Sequence, residues 1–369
     1  MNPKISAKTE NDGILNFTLS QTNVSIANAI RRIILSDIPC VVFRTFPHDE
    51  NRVNISKNTT RLTNEMIKQR VGCVPIHMAT DIALDNFEIH VNVKNNTTET
   101  MYVTTKDFKV KNKTLDKFIS ESEQRQIFPA NEMTGDHIII ARLLPGFEKT
   151  EGQALSFIAT LDIGKAKEDG MYAVASKSCY ANTPDPAMIN TAWTEQSNKL
   201  ENEGMTQNEI EDFKKNWDVS QADRYFQENS FDFKIETVGV YQNDELVEKA
   251  CDIMIDKIAK FNDTLQMKTV KISTTESTIE NCYDIVLEGE DYTLGKVLEF
   301  ILFNDYYQEE ILTYCGFKKF HPHDDDSIIR IAFKNNEEMS VIYDTLISVC
   351  GTAIKIFENI KLHFTNDSE

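Results

Sequence analysis

Two segments of the chain carry nearly the same pattern of apolar and polar positions. Residues 24–35 read VSIANAIRRIIL, and residues 292–303 read YTLGKVLEFILF. In both segments a hydroxyl residue precedes an apolar residue, a small residue and then an apolar stripe at helical spacing. A helical pattern that occurs twice is typical of two related modules packed together. The repeat therefore predicts an internal pseudo-dimer.

Each of these predicted helices follows a predicted strand. Residues 13–19 alternate between apolar and polar side chains, as in a half-buried strand, and residues 284–287 form the strand before the second helix. Ser25 can act as the N-cap of the first helix, and Pro39 ends that element. A further helix is predicted near residues 64–71. The order of strand and helix near the start is thus repeated in the last hundred residues.

The chain between the two repeats has a different pattern. Residues 80–227 contain mostly short strands and turns, with one short helix after the capping box Thr206–Glu209. A strand and a helix with an apolar stripe follow, and we expect a link near residues 262–268. Residues 337–364 form a long closing helix.

These patterns predict an α+β fold with two related modules and a segment of short strands and turns between them. The two modules are expected to pair within the chain.

The charge balance limits the partners. The 369 residues include 39 basic and 58 acidic residues, which give a net charge of −19. Because nucleic-acid binding relies on Lys and Arg neutralising phosphates, this balance argues against a dominant direct contact with nucleic acid. No apolar run approaches the roughly 18 residues of a membrane span, and the start of the chain lacks the apolar region of a signal peptide. We therefore expect no membrane contact and a cytoplasmic location.

Seven cysteines are scattered along the chain without a C-x-x-C pair. In a chain of this size without an export signal, they are expected to be buried thiols in a reducing compartment. Cys179 is the one cysteine between residues 80 and 227. One thiol cannot provide a four-ligand metal site, so we predict no structural metal in that domain.

Three separated motifs resemble one known family. Residues 25–39, SIANAIRRIILSDIP, resemble the signature helix of the RNA polymerase alpha subunit and of its relatives, the archaeal D subunit and the third-largest subunit of eukaryotic polymerase II. Residues 58–76 resemble the second motif of the family, a helix that ends in R-x-G-x-x-P. Residues 233–239, FKIETVG, are similar to the strand at which the family's chain returns from its inserted domain.

The C-terminal part resembles the smaller partner of that subunit, the archaeal L subunit or the eleventh subunit of polymerase II. The matching residues are 288–298, EGEDYTLGKVL, and 315–323, CGFKKFHPH. Tyr292 and Lys296 depart from the family pattern, which usually has His and Asn there. The two types are separate chains in most organisms, and the resemblance implies a fusion of the kind that large DNA viruses use.

The resemblance implies three parts. Residues 1–79 together with 228–262 form a discontinuous first dimerisation module, residues 80–227 form a β-rich domain inserted into it, and residues 263–369 form a second, smaller dimerisation module.

The resemblance also implies a non-catalytic assembly platform of a multisubunit DNA-directed RNA polymerase. Such a subunit needs no cofactor, pairs its two alpha-like halves and docks the two largest polymerase subunits, and small polymerase subunits are further expected partners. If the source is viral, the expected location extends to viral factories and virions, and the nucleus is an alternative.

Two sets of residues are candidates for these contacts. Arg31 and Arg32 are either solvated or internally paired arginines, or guanidinium groups that bind a large catalytic subunit. Arg70 is a candidate partner-binding residue that could equally anchor backbone carbonyls within its own domain. Eight apolar residues are predicted to form the intramolecular dimerisation surface: Ile26, Ile30, Ile33, Ile34, Leu294, Leu298, Ile301 and Leu302.

An alternative hypothesis makes the chain an enzyme. Residues 321–326, HPHDDD, contain the side chains that a metal-dependent hydrolase could use. Three consecutive aspartates point in different directions, however, and no phosphate-binding loop or nucleophile motif accompanies them. We therefore predict no catalytic residue and no bound metal. A third hypothesis, a stand-alone acidic adaptor, also stays open at this point.

Overall fold

A computed structural model describes residues 1–147, 150–274 and 278–365, and the structural statements below concern these residues. Helices and strands both make large contributions, which confirms the predicted α+β class. The predicted second module also covers residues 275–277 and 366–369, which lie outside the described residues. The α-helices are α1 Val24–Ser36, α2 Asn64–Gly72, α3 Glu121–Ile127, α4 Pro186–Asn202, α5 Gln207–Ser220, α6 Asn243–Gln266, α7 Tyr292–Leu302 and α8 Met339–Thr365.

The strands belong to several antiparallel sheets. They are β1 Lys4–Asn11, β2 Ile14–Ser20, β3 Pro39–Val42, β4 Val53–Asn58, β5 Phe87–Lys94, β6 Met101–Thr104, β7 Lys109–Asn112, β8 Lys117–Phe118, β9 Ile139–Leu143, β10 Ala154–Thr160, β11 Asp162–Lys165, β12 Ala175–Pro184, β13 Phe226–Thr237, β14 Ile272–Thr274, β15 Cys282–Leu287, β16 Leu312–Lys318 and β17 Ser327–Phe333.

The chain forms two compact units. Residues 1–34, 177–236 and 243 onward make up the first unit, and residues 35–176 with 237–242 make up the second. These boundaries differ from the predicted ones at residues 79 and 227. β3 pairs with β11 and β4 pairs with β10, so the chain after α1 folds with the inserted strands. β12 lies next to β13, which returns the chain to the sheet of the first unit.

One topology occurs twice within the first unit. The first copy is the sheet β1-β2-β13-β12, with α1 after β2 and α6 after β13. The second copy is the sheet β14-β15-β17-β16, with α7 after β15 and α8 after β17. The two sheets correspond strand for strand. The internal repeat predicted from two helices therefore extends to whole modules.

The two copies share a core. α6 of the first copy packs extensively against α8 of the second. The Phe17 ring on β2 stacks on Phe233 at 4.9 Å and meets the Phe364 ring of α8 edge-on at 5.1 Å. At the surface of this contact the Lys361 ammonium lies 2.7 Å from the carboxylate of Asp252. Because buried apolar surface dominates such packing, the copies stabilise each other.

α8 is long and apolar enough to span a membrane by length and composition alone. Its apolar residues have another explanation, since one face packs on α6 and the residues of that face are buried. A core helix of a soluble protein passes the same test of composition. The inward-facing residues include Ile342, Leu346, Val349, Ala353, Phe357, Ile360 and Phe364.

α6 contradicts the link predicted near residues 262–268. The helix continues to Gln266, because Leu265 is fully buried and extends the apolar stripe of the helix by two further turns beyond Ile258. The chain leaves the helix at Lys268, whose backbone has a φ of +55°. The predicted module boundary at residue 262 therefore falls inside a helix.

α4 was not predicted. Mostly strands and turns were predicted for this region, although the N-terminal signal of the helix is visible in the sequence. The Asp185 carboxylate accepts hydrogen bonds from the backbone N–H groups of Ala187 and Met188, and Pro186 occupies the first turn. The capping box of α5 was predicted correctly, with the Thr206 N–H donating to the Glu209 carboxylate at 2.8 Å.

The second unit is built on the five-stranded sheet β4-β10-β5-β7-β8. α2, predicted near residues 64–71, contributes Ile67 and Val71 to its core. Thr63 caps this helix by accepting a hydrogen bond from the Met66 N–H. The core is rich in aromatic rings, with Phe43, Phe108, Phe128 and Phe157 all buried.

The cysteines are free thiols, and their burial is mixed. Burial raises the pKa of the Cys40 thiol to about 11 and that of Cys350 to about 12, so both are protonated at neutral pH. The expectation that all seven are buried is wrong for Cys73 and Cys179, which are exposed. An exposed thiol on a loop or strand surface has no sequence pattern that separates it from a buried one.

Candidate subunit-pairing and docking site

The eight apolar residues predicted for dimerisation are all buried in the first unit. None has more than 2% of its surface exposed: Ile26, Ile30, Ile33, Ile34, Leu294, Leu298, Ile301 and Leu302. Burial of the two apolar stripes follows from their helical spacing. Which of these side chains contact the opposite copy stays a prediction.

The start of α1 differs from the predicted cap. The helix begins at Val24, and the side-chain oxygen of Asn23 accepts a hydrogen bond from the Ser25 N–H at 2.9 Å. The Asn23 carbonyl accepts further bonds from the N–H groups of Ile26 and Ala27. The predicted N-cap Ser25 is therefore wrong by two positions. Its hydroxyl oxygen is buried and has no hydrogen-bond partner among the described residues.

Arg32 connects the two copies directly. Its Nε donates to the Thr293 hydroxyl at 2.9 Å, and its Nη2 lies 2.7 Å from the Asp291 carboxylate. Asp291 also caps α7, because its other oxygen accepts from the Thr293 N–H at 2.9 Å. The guanidinium that was predicted to bind a partner subunit is thus engaged within the chain. The geometry agrees with the alternative prediction for Arg32, an ion pair within the chain.

Arg31 has a different environment. Its Nε and Nη2 atoms donate to the side-chain oxygen of Asn28, at 3.2 Å and 2.9 Å, one turn earlier on α1. In the second copy the corresponding positions are Lys296 and Glu299, which form an ion pair. Both copies therefore have two bonded polar side chains three residues apart, but the positive charge of Arg31 is replaced by the negative charge of Glu299. Partner binding by Arg31 stays a prediction.

Arg70 binds a backbone carbonyl of its own domain, which agrees with one of the two roles predicted for it. Its Nη2 donates to the backbone carbonyl of Ile139 at 3.0 Å. Arg61 and Arg142 line the same cavity of about 280 Å³ in the second unit, beside Tyr102. These two arginines were not predicted as site residues, because each is isolated in the sequence. Three arginines around one cavity give a positive site in an acidic chain.

The His–Asp segment does not form a metal centre in the described structure. The Asp324 carboxylate accepts from the His321 N–H at 2.9 Å, and the His321 ring nitrogen lies 3.1 Å from the His323 N–H. Asp326 accepts from the Gly289 N–H at 2.9 Å. These groups stabilise a turn. Among the described residues, no three His, Cys, Asp or Glu side chains are placed to hold one metal ion.

Two copies of one α+β module that share a core define a subunit-pairing protein. The chain belongs to the family of the RNA polymerase Rpb3/Rpb11 dimerisation domain, whose model matches residues 16–258. The matched part includes most of the first copy and the second unit. The second copy, from β14 to α8, lies beyond the match.

Several curated proteins similar to this chain are named as RNA polymerase subunits. "DNA-directed RNA polymerases II, IV and V subunit 3" of Arabidopsis thaliana is 35% identical over 74 residues, which cover 20% of this chain and 21% of that protein. "DNA-directed RNA polymerases IV and V subunit 3B" of the same plant is 24% identical, over 53% of this chain and 62% of its own length. "DNA-directed RNA polymerase subunit Rpo3" of Pyrococcus furiosus is 24% identical, over 69% of this chain and 94% of its own length.

The family assignment confirms the prediction of a polymerase-type dimerisation protein. It agrees with a non-catalytic subunit, since the family is defined by subunit pairing and the similar proteins are named as subunits of RNA polymerases. The alternative of a metal-dependent hydrolase receives no support from the family or from the turn at residues 321–326.

Proposed function

We propose that this chain is the non-catalytic assembly platform of a multisubunit DNA-directed RNA polymerase. Its two modules pair within one polypeptide, and the paired modules dock the two largest subunits for transcription. Small polymerase subunits are further partners. The nucleotidyl-transfer chemistry belongs to the complex and not to this chain.

The repeated topology carries the proposal. The family match covers most of the first copy, and a second copy with the same strand order and the same helix positions follows in the same chain. In relatives named subunit 3, the dimerisation domain is expected to find its partner on another chain. Here the α6–α8 contact and the Arg32–Asp291 ion pair hold both halves together. This supports a fusion of a third-subunit type with an eleventh-subunit type.

Fusion has a physical advantage for an assembly platform. A short tether holds the second module at an effective concentration of about millimolar, so pairing is independent of the expression levels of two genes. We propose that the chain comes from a large DNA virus, in which such fused subunits would be made in the cytoplasm, act in viral factories and enter virions.

The docking surface should include positive groups that stay accessible. Arg31 is half-buried on α1, and Arg61, Arg70 and Arg142 are exposed around one cavity of the second unit. Because the chain as a whole is strongly acidic, these groups are suited to bind carboxylates and carbonyl oxygens of a partner subunit.

Affinity purification of the full chain tests the proposal. A tagged chain, expressed in its native host, should recover the two largest polymerase subunits, identified by mass spectrometry. The variant R61E/R70E/R142E is designed to weaken docking, and K199E/K214E/K215E, which reverses three charges on α4 and α5 of the first unit, is the matched control. Recovery of the chain without large polymerase subunits would exclude the platform role and favour a stand-alone acidic adaptor.

A further inference from the structure

A cavity of about 670 Å³ lies in the first unit between the start of α1 and the end of α7. Val24 and Ser25 of α1 line one side, and Phe300 of α7 lines the other. The described structure leaves this space open, although both helices are otherwise buried along their apolar stripes. It belongs to neither the Arg32 contact nor the arginine cavity.

The cavity is the counterpart of the Arg32 contact. Alignment of residues 24–35 with 292–303 equates Ser25 with Thr293 and Arg32 with Phe300, and Asn23 takes the place of Asp291. In one half of the pseudo-dimer, Arg32 of α1 binds Thr293 at the start of α7 and Asp291, which caps α7. In the other half, Phe300 faces the Asn23–Ser25 segment across the open cavity.

The hydroxyl groups of the two halves show what the open half lacks. Thr293 Oγ1 accepts a hydrogen bond from Arg32, whereas Ser25 Oγ is buried without a partner among the described residues. A buried hydroxyl without a hydrogen bond is unfavourable, and native structures rarely keep one unless another group or a ligand supplies the bond. This hydroxyl has almost no accessible surface, so what distinguishes the open half is the missing counterpart of the Arg32 contact.

The lining defines the chemistry of an occupant. Val24, Phe300 and Phe303 form an apolar wall of the cavity. Val24 is 48% exposed and Phe303 is 42% exposed. Lys296 lies beside this wall and is 43% exposed, while the Glu299 carboxylate is already bound by Lys296 and by the Phe317 N–H at 3.0 Å. Lys296 and Glu299 balance each other in the lining, and Arg31, bonded to the lining residue Asn28, adds a further positive charge next to the cavity.

We propose that the cavity binds a segment of another polymerase subunit in which an apolar side chain stands next to an Asp or Glu. The apolar side chain packs on Phe300 and Val24. The carboxylate lies near Lys296 and Arg31, whose positive charges attract it. The proposal rests on the proposed function, because it names a docking contact of the same platform.

An arginine from the partner, as a copy of Arg32, fits less well. The position of the Asp291 carboxylate is taken by the neutral side chain of Asn23, so an inserted guanidinium would find no carboxylate to bind. It would also lie near Arg31 and Lys296. Like charges in a partly buried site repel each other. An acidic segment is therefore the complementary partner.

Site-specific crosslinking in the assembled polymerase tests the contact. A photoreactive phenylalanine replaces Val24 in the full chain, and the same replacement at Val341 of α8, which is 37% exposed, is the control. The expected result is a crosslink from position 24 to a polymerase subunit, within a few residues of an Asp or Glu. Crosslinks from position 24 only to basic segments, or none while the polymerase assembles, would overturn the proposal.

A symmetrising variant tests the physical reason. N23D/F300R gives the open half the residues of the closed half, so it should close the cavity. The affinity for the segment identified by crosslinking should then fall at least tenfold. The binding probe is a synthetic peptide of the crosslinked segment, together with a version in which Asp and Glu are replaced by Asn and Gln. Thermal unfolding monitors the fold, and unchanged peptide binding by the folded variant would contradict the assignment.

Charge reversal provides a second, milder variant. K296E should weaken binding of the acidic peptide by roughly tenfold and should weaken binding of the neutralised peptide much less. K334E is the matched control, since Lys334 forms an exposed ion pair with Glu310 in the same copy, away from the cavity. Equal losses for both variants would overturn the role of Lys296. Failure of the unmodified chain to recover any polymerase subunit would instead refute the proposed function, and the cavity proposal with it.

Discussion

The guanidinium of Arg32 and the carboxylate of Asp291 lie 2.7 Å apart, although 259 residues separate them in the chain. The contact joins the middle of the first repeated helix to the cap of the second. Both side chains are about one third exposed. Because Thr293 accepts a further bond from the same guanidinium, the two helices have a defined register relative to each other.

This ion pair should contribute to the stability of the paired modules. The variants R32A and D291N and their combination form a double-mutant cycle, in which Asn at position 291 keeps the cap and removes the charge. We expect a coupling free energy of about 1 kcal/mol, since the pair is partly exposed but hydrogen-bonded to a charged group. Urea unfolding measures it. The exposed pair Lys334–Glu310 is the control and should show little coupling.

Gly295 on α7 should not tolerate a methyl group. A Cβ atom at this position would lie 2.0 Å from the Phe317 ring, which is itself packed on Tyr292. G295A should therefore destabilise the fold by about 1–3 kcal/mol through overpacking. G351A on α8 is the matched control, because no atom lies within 4 Å of the added methyl group, and it should stabilise the helix by up to about 1 kcal/mol. Denaturant unfolding that ranks the two variants in the opposite order would contradict this packing.

The two modules should assemble when the chain is cut between them. Expression of residues 1–268 and 269–369 as two chains in one cell should yield a stable heterodimer, because the shared core of α6 and α8 is noncovalent. The expected cost is the loss of the tether, so dissociation appears on dilution. Copurification and size-exclusion chromatography measure this. Independent monomers at high concentration would show that the link, and not the interface, holds the modules together.

Acid should destabilise the second unit in part through His77. Burial lowers the pKa of this half-buried imidazole, so the fold favours its neutral form. Stability is therefore full above the ordinary histidine pKa of about 6.5 and declines as the pH falls through it, since the unfolded chain binds the proton more readily. H77Q should reduce the decline in thermal midpoint between pH 7.5 and pH 5. H48Q, at an exposed histidine, is the control. An equal decline in both variants would exclude His77 as a cause.

Local patterns in the sequence were reliable where a short stretch of chain decides the structure. Helical spacing placed both repeated helices and buried all eight predicted apolar residues. The capping box at Thr206 and the helix of the R-x-G-x-x-P motif were also found in the predicted positions. α4 was not predicted, although its cap and first-turn proline are local signals.

The sequence by itself determined that this protein contains one helical pattern twice, and therefore two related modules with buried apolar stripes. It could not determine the module boundaries, because these depend on which strands pair. β3 pairs with β11 and β4 pairs with β10, and both pairs belong to the second unit. Only the tertiary structure paired Arg32 with Asp291 and left an open cavity at the corresponding place in the other half. Periodicity depends on neighbours three or four residues apart, whereas ion pairs and cavities depend on groups that the chain brings together from hundreds of residues away.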